Sequence, residues 1–142
     1  MDNEASKLDF YTIYTDFQCL LIAQLNKMDY SGISAIQFNI VEYLYRNGQS
    51  TSSELAKKFF VSQPAISRQL TSLLDKKMLI QKQDRLDRRI FFLEVTGKGK
   101  QLVIDSENIR KTMSSKITHI LDAGELAQFA KSLSKIVQNI EI

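Results

Sequence analysis

Apolar positions recur at helical intervals along most of this chain, and short polar stretches interrupt them. Between residues 6 and 27, Leu8, Tyr11, Tyr14, Phe17, Leu20, Leu21 and Leu25 form one stripe. Phe10, Ile13 and Ile22 widen it beyond the needs of one small core. The spacing predicts a long helix, and its width is better explained by sharing between two copies of the chain than by a core alone. Asp29-Tyr30-Ser31-Gly32 breaks the pattern. Ser34 then opens a helix with Ile36, Phe38, Ile40, Val41, Leu44 and Tyr45 turned inward, ending at Arg46-Asn47-Gly48, where glycine accepts a left-handed backbone.

Two short helices follow. Thr51-Ser52-Ser53-Glu54 is a capping box, and Leu55, Ala56, Phe59 and Phe60 give that helix an apolar face. Ser62 is an N-cap with Pro64 in the first turn, and Ile66, Leu70, Leu73 and Leu74 mark the buried side of the next helix. No glycine stands between them; Phe60-Val61 occupies the turn, which leaves the register of the second helix open by a residue. After Met78-Leu79-Ile80 the period becomes strand-like, and Ile90 to Thr96 returns as a second strand. Gly97-Lys98-Gly99 leads into a long helix with Leu102, Val103, Ile109, Met113 and Ile117 apolar and Asp105, Glu107, Arg110 and Lys111 wet. A capping box at Asp122-Ala123-Gly124-Glu125 starts a last helix striped by Leu126, Phe129, Ala130, Leu133, Ile136, Val137 and Ile140. So apolar a terminal helix exposes a sticky patch unless a two-fold partner covers it. The expected fold is mainly α: about six helices and a small two- or three-stranded sheet.

Composition narrows the function. The 142 residues are one domain's worth of chain, with ordinary hydrophobic (44%) and charged (25%) content. The single cysteine excludes an internal disulfide framework, and one His with one Cys cannot form a His/Cys metal cluster within one chain. No P-loop, dinucleotide fingerprint or nucleophile elbow is present, so neither an enzyme nor a cofactor is expected. No apolar run reaches the roughly 18 residues of a membrane span, and a cytoplasmic protein with no membrane partner is expected. The net charge of +3 is unevenly spread: residues 51–100 hold eleven Lys/Arg against five Asp/Glu, and the rest hold eight against eleven. A basic centre of +6 in an otherwise acidic chain is a footprint for a polyanion.

That centre contains the candidate site. On the helix after Ser62, the residues Ser62, Gln63, Pro64, Ala65, Ser67 and Arg68 lie away from the apolar stripe. Short polar groups plus one long cation suit the floor and walls of a major groove, although an ordinary surface helix has a similar composition. The hairpin tip, Asp84-Arg85-Leu86-Asp87-Arg88-Arg89, packs three guanidinium groups and two carboxylates into six residues. Arginine is favoured by phosphate and by a narrow minor groove, which makes Arg85, Arg88 and Arg89 candidates for contact.

In this order, Gln37-Phe38, Glu54-Leu55-Ala56, Val61 to Arg68, Asp84 to Arg89 and Val95-Thr96-Gly97-Lys98-Gly99 resemble the MarR (multiple antibiotic resistance regulator) family of winged-helix transcription factors. The resemblance covers nearly the full chain, and the wing followed by Val-Thr-x-x-Gly is its most specific part. It implies one MarR-like domain over 1–142, with residues 1–33 and 100–142 as dimerisation helices and 34–99 as a winged-helix lobe. It further implies a homodimer on a pseudo-palindromic operator, often repressing, and often released by a small aromatic or phenolic ligand or by oxidation. Asp87 and Arg89 match the family's wing Asp-x-Arg, a pair expected to shape the loop. Tyr11, Tyr14, Phe17 and Phe38 are candidates to line a ligand cleft, or plain core. Cys19 is either a small buried hydrophobe or a redox thiol like that of a peroxide-sensing branch of the family. That branch, however, places its cysteine farther upstream of the Gln37 position. A winged-helix interaction module without nucleic acid is the rival reading of the whole chain.

Overall fold

The computed structural model describes residues 9–142, so Leu8 of the first apolar stripe lies outside the described residues. Six helices and three strands follow in the order α1 (Phe10–Lys27), α2 (Ala35–Asn47), β1 (Ser50–Thr51), α3 (Ser52–Lys58), α4 (Gln63–Asp75), β2 (Leu79–Gln83), β3 (Phe91–Val95), α5 (Gly97–Ile120) and α6 (Ala123–Asn139). Their ends are set by caps within three or four residues. Asp9, Ser34, Thr51, Ser62, Thr96 and Asp122 each accept a backbone N–H of the first turn. The boxes at Thr51/Glu54 and Asp122/Glu125 close in both directions, as does one at Ser34/Gln37. Gln37 is buried and its side chain accepts the Ser34 N–H at 3.1 Å, so its role there is local.

The sheet is antiparallel with order β1-β3-β2; Leu79 faces Val95 and Gln83 faces Phe91 at the two ends of the hairpin. β3 is shorter than the expected strand. Ile90 instead closes the tip, donating to the Asp87 carbonyl at 3.0 Å, and Thr96 leaves the sheet to cap α5. The core lies between α2, α4, the sheet and the start of α5. Phe38, Ile40, Val41, Leu55, Ile66, Leu73, Met78 and Leu79 are its fully buried side chains. Two apolar residues assigned inward are not there: Tyr45 is exposed, and Phe60 is 73% exposed.

Phe60 is out because of how α3 ends. The Val61 N–H donates to the Ala56 carbonyl at 3.0 Å and the Phe60 N–H to that of Lys57 at 3.2 Å, a Schellman closure with Phe60 at φ +53°. The turn therefore uses the left-handed backbone that glycine ordinarily supplies, and the phenyl ring is carried into solvent.

Arg110 also departs from the wet face expected of it. It forms a two-pronged ion pair with Glu42 of α2 and lies 5.1 Å from the centre of the Phe38 ring, which itself stacks on Tyr30 at 4.7 Å. Glu42 also holds Arg46 at 2.7 Å. This is one polar tie between the lobe and α5, and without Arg110 the largely buried Glu42 keeps only the exposed Arg46 as a partner. Arg110→Ala is expected to cost about 1–3 kcal/mol in chemical denaturation; a loss under about 0.5 kcal/mol would mean the pair is a surface decoration.

Neither α1 nor α6 joins the closely packed pairs, which are α2 with α5, α3 with α4, and the strands with each other and with their neighbouring helices. Neither has a buried residue. Phe10, Tyr11, Ile13, Leu20, Leu21 and Ile22 on α1 stay exposed, as do Phe129, Leu133, Ile136 and Val137 on α6.

Candidate nucleic-acid interface

The polar face of α4 is positioned from both ends. At its start, the Ser62 hydroxyl accepts from the Ala65 N–H at 3.3 Å, and Pro64 sits in the first turn, where no N–H is required. On its inner side Ile66, Leu70 and Leu73 anchor it to the core. The face turned outward carries Ser62, Gln63, Pro64, Ser67, Arg68 and Thr71, all exposed, with Ala65 half-buried beside them. Gln63 is not idle: its amide donates to the Ser52 hydroxyl at 2.6 Å, tying the start of α4 to the start of α3. Its carbonyl oxygen and the second N–H of the amide remain to be offered to a ligand.

The wing tip is a closed turn. The Asp84 carboxylate accepts from Leu86 N–H (2.6 Å) and Asp87 N–H (3.1 Å), and the Gln83 amide donates to the Arg88 carbonyl at 2.6 Å. Arg89 grips Asp87 through Nε and Nη2, each at 3.0 Å, and its own N–H donates to the same carboxylate. The Arg89 guanidinium holds the Asp87 carboxyl below the usual carboxylate range, and Asp87 raises Arg89 in return. The pair is thus intact at neutral pH and is lost only as pH falls through the depressed Asp87 value. Arg85 and Arg88 are exposed and have no ion pair among the described residues. Of the three tip arginines, Arg89 shapes the loop and the other two project from it.

The candidate cleft residues are not brought together. Phe38 is 1% exposed, deep in the core against Tyr30; Tyr11 and Tyr14 lie on the exposed side of α1. Phe17 faces an apolar groove formed with Ile117 of α5, Leu121 just past its end and Phe129 of α6. A different hollow, about 440 Å³, lies between α1 and α5, with Leu20, Met28, Ile109 and Met113 on its walls and Lys27 and Lys116 among its lining residues. Helical periodicity ranks each aromatic on its own element but does not say which elements meet. Cys19 is exposed, which corrects its reading as a buried hydrophobe. It occupies the side of α1 away from Phe10, Phe17 and Leu21, among Thr15, Asp16 and Ala23 by helical spacing. Among the described residues no group of three His, Cys, Asp or Glu is placed to hold a metal, and no helix is long and apolar enough to cross a membrane.

Two contributors escaped sequence reasoning. Ser52 was legible only as part of a cap, and its bond to Gln63 depends on how α3 meets α4. Leu86, at the tip between Arg85 and Asp87, is 98% exposed. Its signal was present: an apolar residue in a run of charges.

Comparison with known proteins agrees with this geometry. The model of the MarR family matches residues 31–90, from the turn before α2 to the end of the wing loop. The HTH-type transcriptional regulator MhqR of Bacillus subtilis is 24% identical over 108 residues, 76% of this chain and 74% of MhqR. Among solved structures, a MepR–DNA complex from S. aureus superposes with a TM-score of 0.75 at 22% identity, covering 92% of this chain and 98% of that one. Streptococcus pneumoniae FabT in complex with DNA gives 0.74 at 22%, covering 90% and 91%. The capped helix pair, β1, β2 and the wing loop thus fall on the segment, residues 31–90, that matches the MarR family.

Proposed function

We propose that this protein is a homodimeric regulator of transcription that binds a pseudo-palindromic DNA operator, most simply as a repressor. The observation that carries the reading is the convergence of an anchored helix with an exposed polar face (Ser62, Gln63, Ser67 and Arg68) and a wing tip with two guanidinium groups, Arg85 and Arg88, that have no ion pair among the described residues. In this reading α4 enters the major groove, with Arg68 and Gln63 at base edges and Ser62 at a phosphate. The wing follows the backbone into the adjacent minor groove. Residues 34–99 act as the DNA-binding lobe, and residues 1–33 and 100–142 pair two copies so that half-sites lie roughly 10 bp apart. The MepR and FabT complexes with DNA are precedents on the same fold. A small effector seated between α1 and α5 would act by favouring one separation of the two α4 helices over another.

Selection of bound fragments from random duplex DNA, followed by binding titrations, tests this. Affinity is expected to fall steeply between about 50 and 200 mM salt. Arg68→Ala is expected to weaken operator binding by about 1–3 kcal/mol and relax specificity at one position. Arg88→Ala is expected to weaken all sequences alike and reduce the salt slope by about one. A flat salt response would leave the interaction-module reading in its place.

A further inference from the structure

We infer that Leu86 is an apolar wedge which the wing inserts into the minor groove, a deepening of the DNA-binding reading on which it rests. A single exposed leucine is ordinary on a protein surface and by itself means nothing. This one differs in where it is held. At 98% exposure Leu86 gives the fold no packing, yet the turn that presents it is braced on every side. Its own N–H and that of Asp87 are taken by Asp84, the Asp84 N–H reaches the Ile90 carbonyl at 2.9 Å, and Arg89 is locked on Asp87. The tip's backbone donors are largely satisfied inside the loop, and what it offers outward is Arg85, Leu86 and Arg88. A pre-ordered tip loses little conformational freedom on binding.

Two guanidinium groups flanking a leucine match the chemistry of a minor groove. The groove's negative potential draws the arginines, and its floor of sugar and base edges is apolar enough to take the isobutyl group. Proteins that bind there use leucine, among other apolar side chains, to part a base step. The step that opens most easily is pyrimidine–purine, so the inference places such a step beneath each wing, flanking the bases met by α4.

The test uses the full chain and a duplex recovered by selection, with 2-aminopurine at the step under the wing. The wild type is expected to raise its fluorescence on binding, by unstacking. Leu86→Ala should bind roughly tenfold more weakly, lose that rise and keep the wild-type salt slope, because no phosphate contact is removed. Leu86→Met should restore both binding and signal. Unchanged melting temperatures of the free variants will show that folding is not the cause. Leu86→Ala binding within about twofold of wild type, with the signal intact, would overturn the wedge alone. A wild type that binds no duplex would overturn the DNA-binding reading and take the wedge with it.

Discussion

A chain carrying Leu133→Asp and Ile136→Asp is expected to be monomeric at micromolar concentration in sedimentation experiments and to lose most of its operator affinity. The two residues are neighbours on α6, a helix that buries none of its own side chains although Phe129, Leu133, Ile136 and Val137 line one side of it. α1 is in the same condition. Within one copy these faces meet water, where full burial of each such side chain would contribute about 1.5–3 kcal/mol. A second copy is the occupant that the proposed two-fold symmetry supplies. Two carboxylates in that contact would remove the apolar gain and add desolvation without partners. A monomer binds one half-site and forgoes the joint engagement of two, a loss on the order of 10²–10⁴ in affinity. The lobe itself should stay folded, since neither side chain is part of its core. A variant that stays dimeric and binds normally would mean the subunits pair elsewhere.

Gly99→Ala is expected to destabilise the lobe by about 2–3 kcal/mol in urea denaturation, a large effect for one methyl group. A methyl carbon at Gly99 would come within 2.5 Å of the Met78 carbonyl oxygen, 2.7 Å of Val95 Cγ1 and 3.3 Å of Val41 Cγ1. The first of these is backbone and cannot swing aside. The glycine is required by closeness, because the first turn of α5 is pressed onto the junction between α4 and β2. Thr96 explains its partner position in the Val-Thr-x-x-Gly run. Its hydroxyl donates to the Lys77 carbonyl at 2.6 Å and accepts the Gly99 N–H at 3.2 Å, so one side chain both starts α5 and fastens it to the lobe. Loss of less than about 0.5 kcal/mol would show that α5 sits farther from β2 than this packing requires.

Much of the site was legible before any packing was known. Ser62 as a cap, Pro64 in the first turn and Ile66, Leu70 and Leu73 facing inward stand where residue order suggested, and the Asp87–Arg89 pair stands where the family resemblance implied it. Each depends on neighbours within four residues, or on a period that repeats along one element. Phe60 shows how far that reasoning goes. The absence of glycine from the turn was plain, but periodicity put the ring inward, and only the closure of α3 turned it out.

Sequence by itself therefore determined the helices, the starts of α2, α3, α4 and α6, the hairpin and its arginine tip, because caps and periodicity act through contacts between near neighbours in the chain. Tertiary structure alone decided that Gln63 is engaged with Ser52, that Gly99 must lack a side chain, and that Arg110 abandons a wet face for Glu42, 68 residues away. It also decided that Phe38 and the aromatics of α1 do not share a cleft. These are facts about where two elements meet, and the pattern of either element alone carries no information about the other's position.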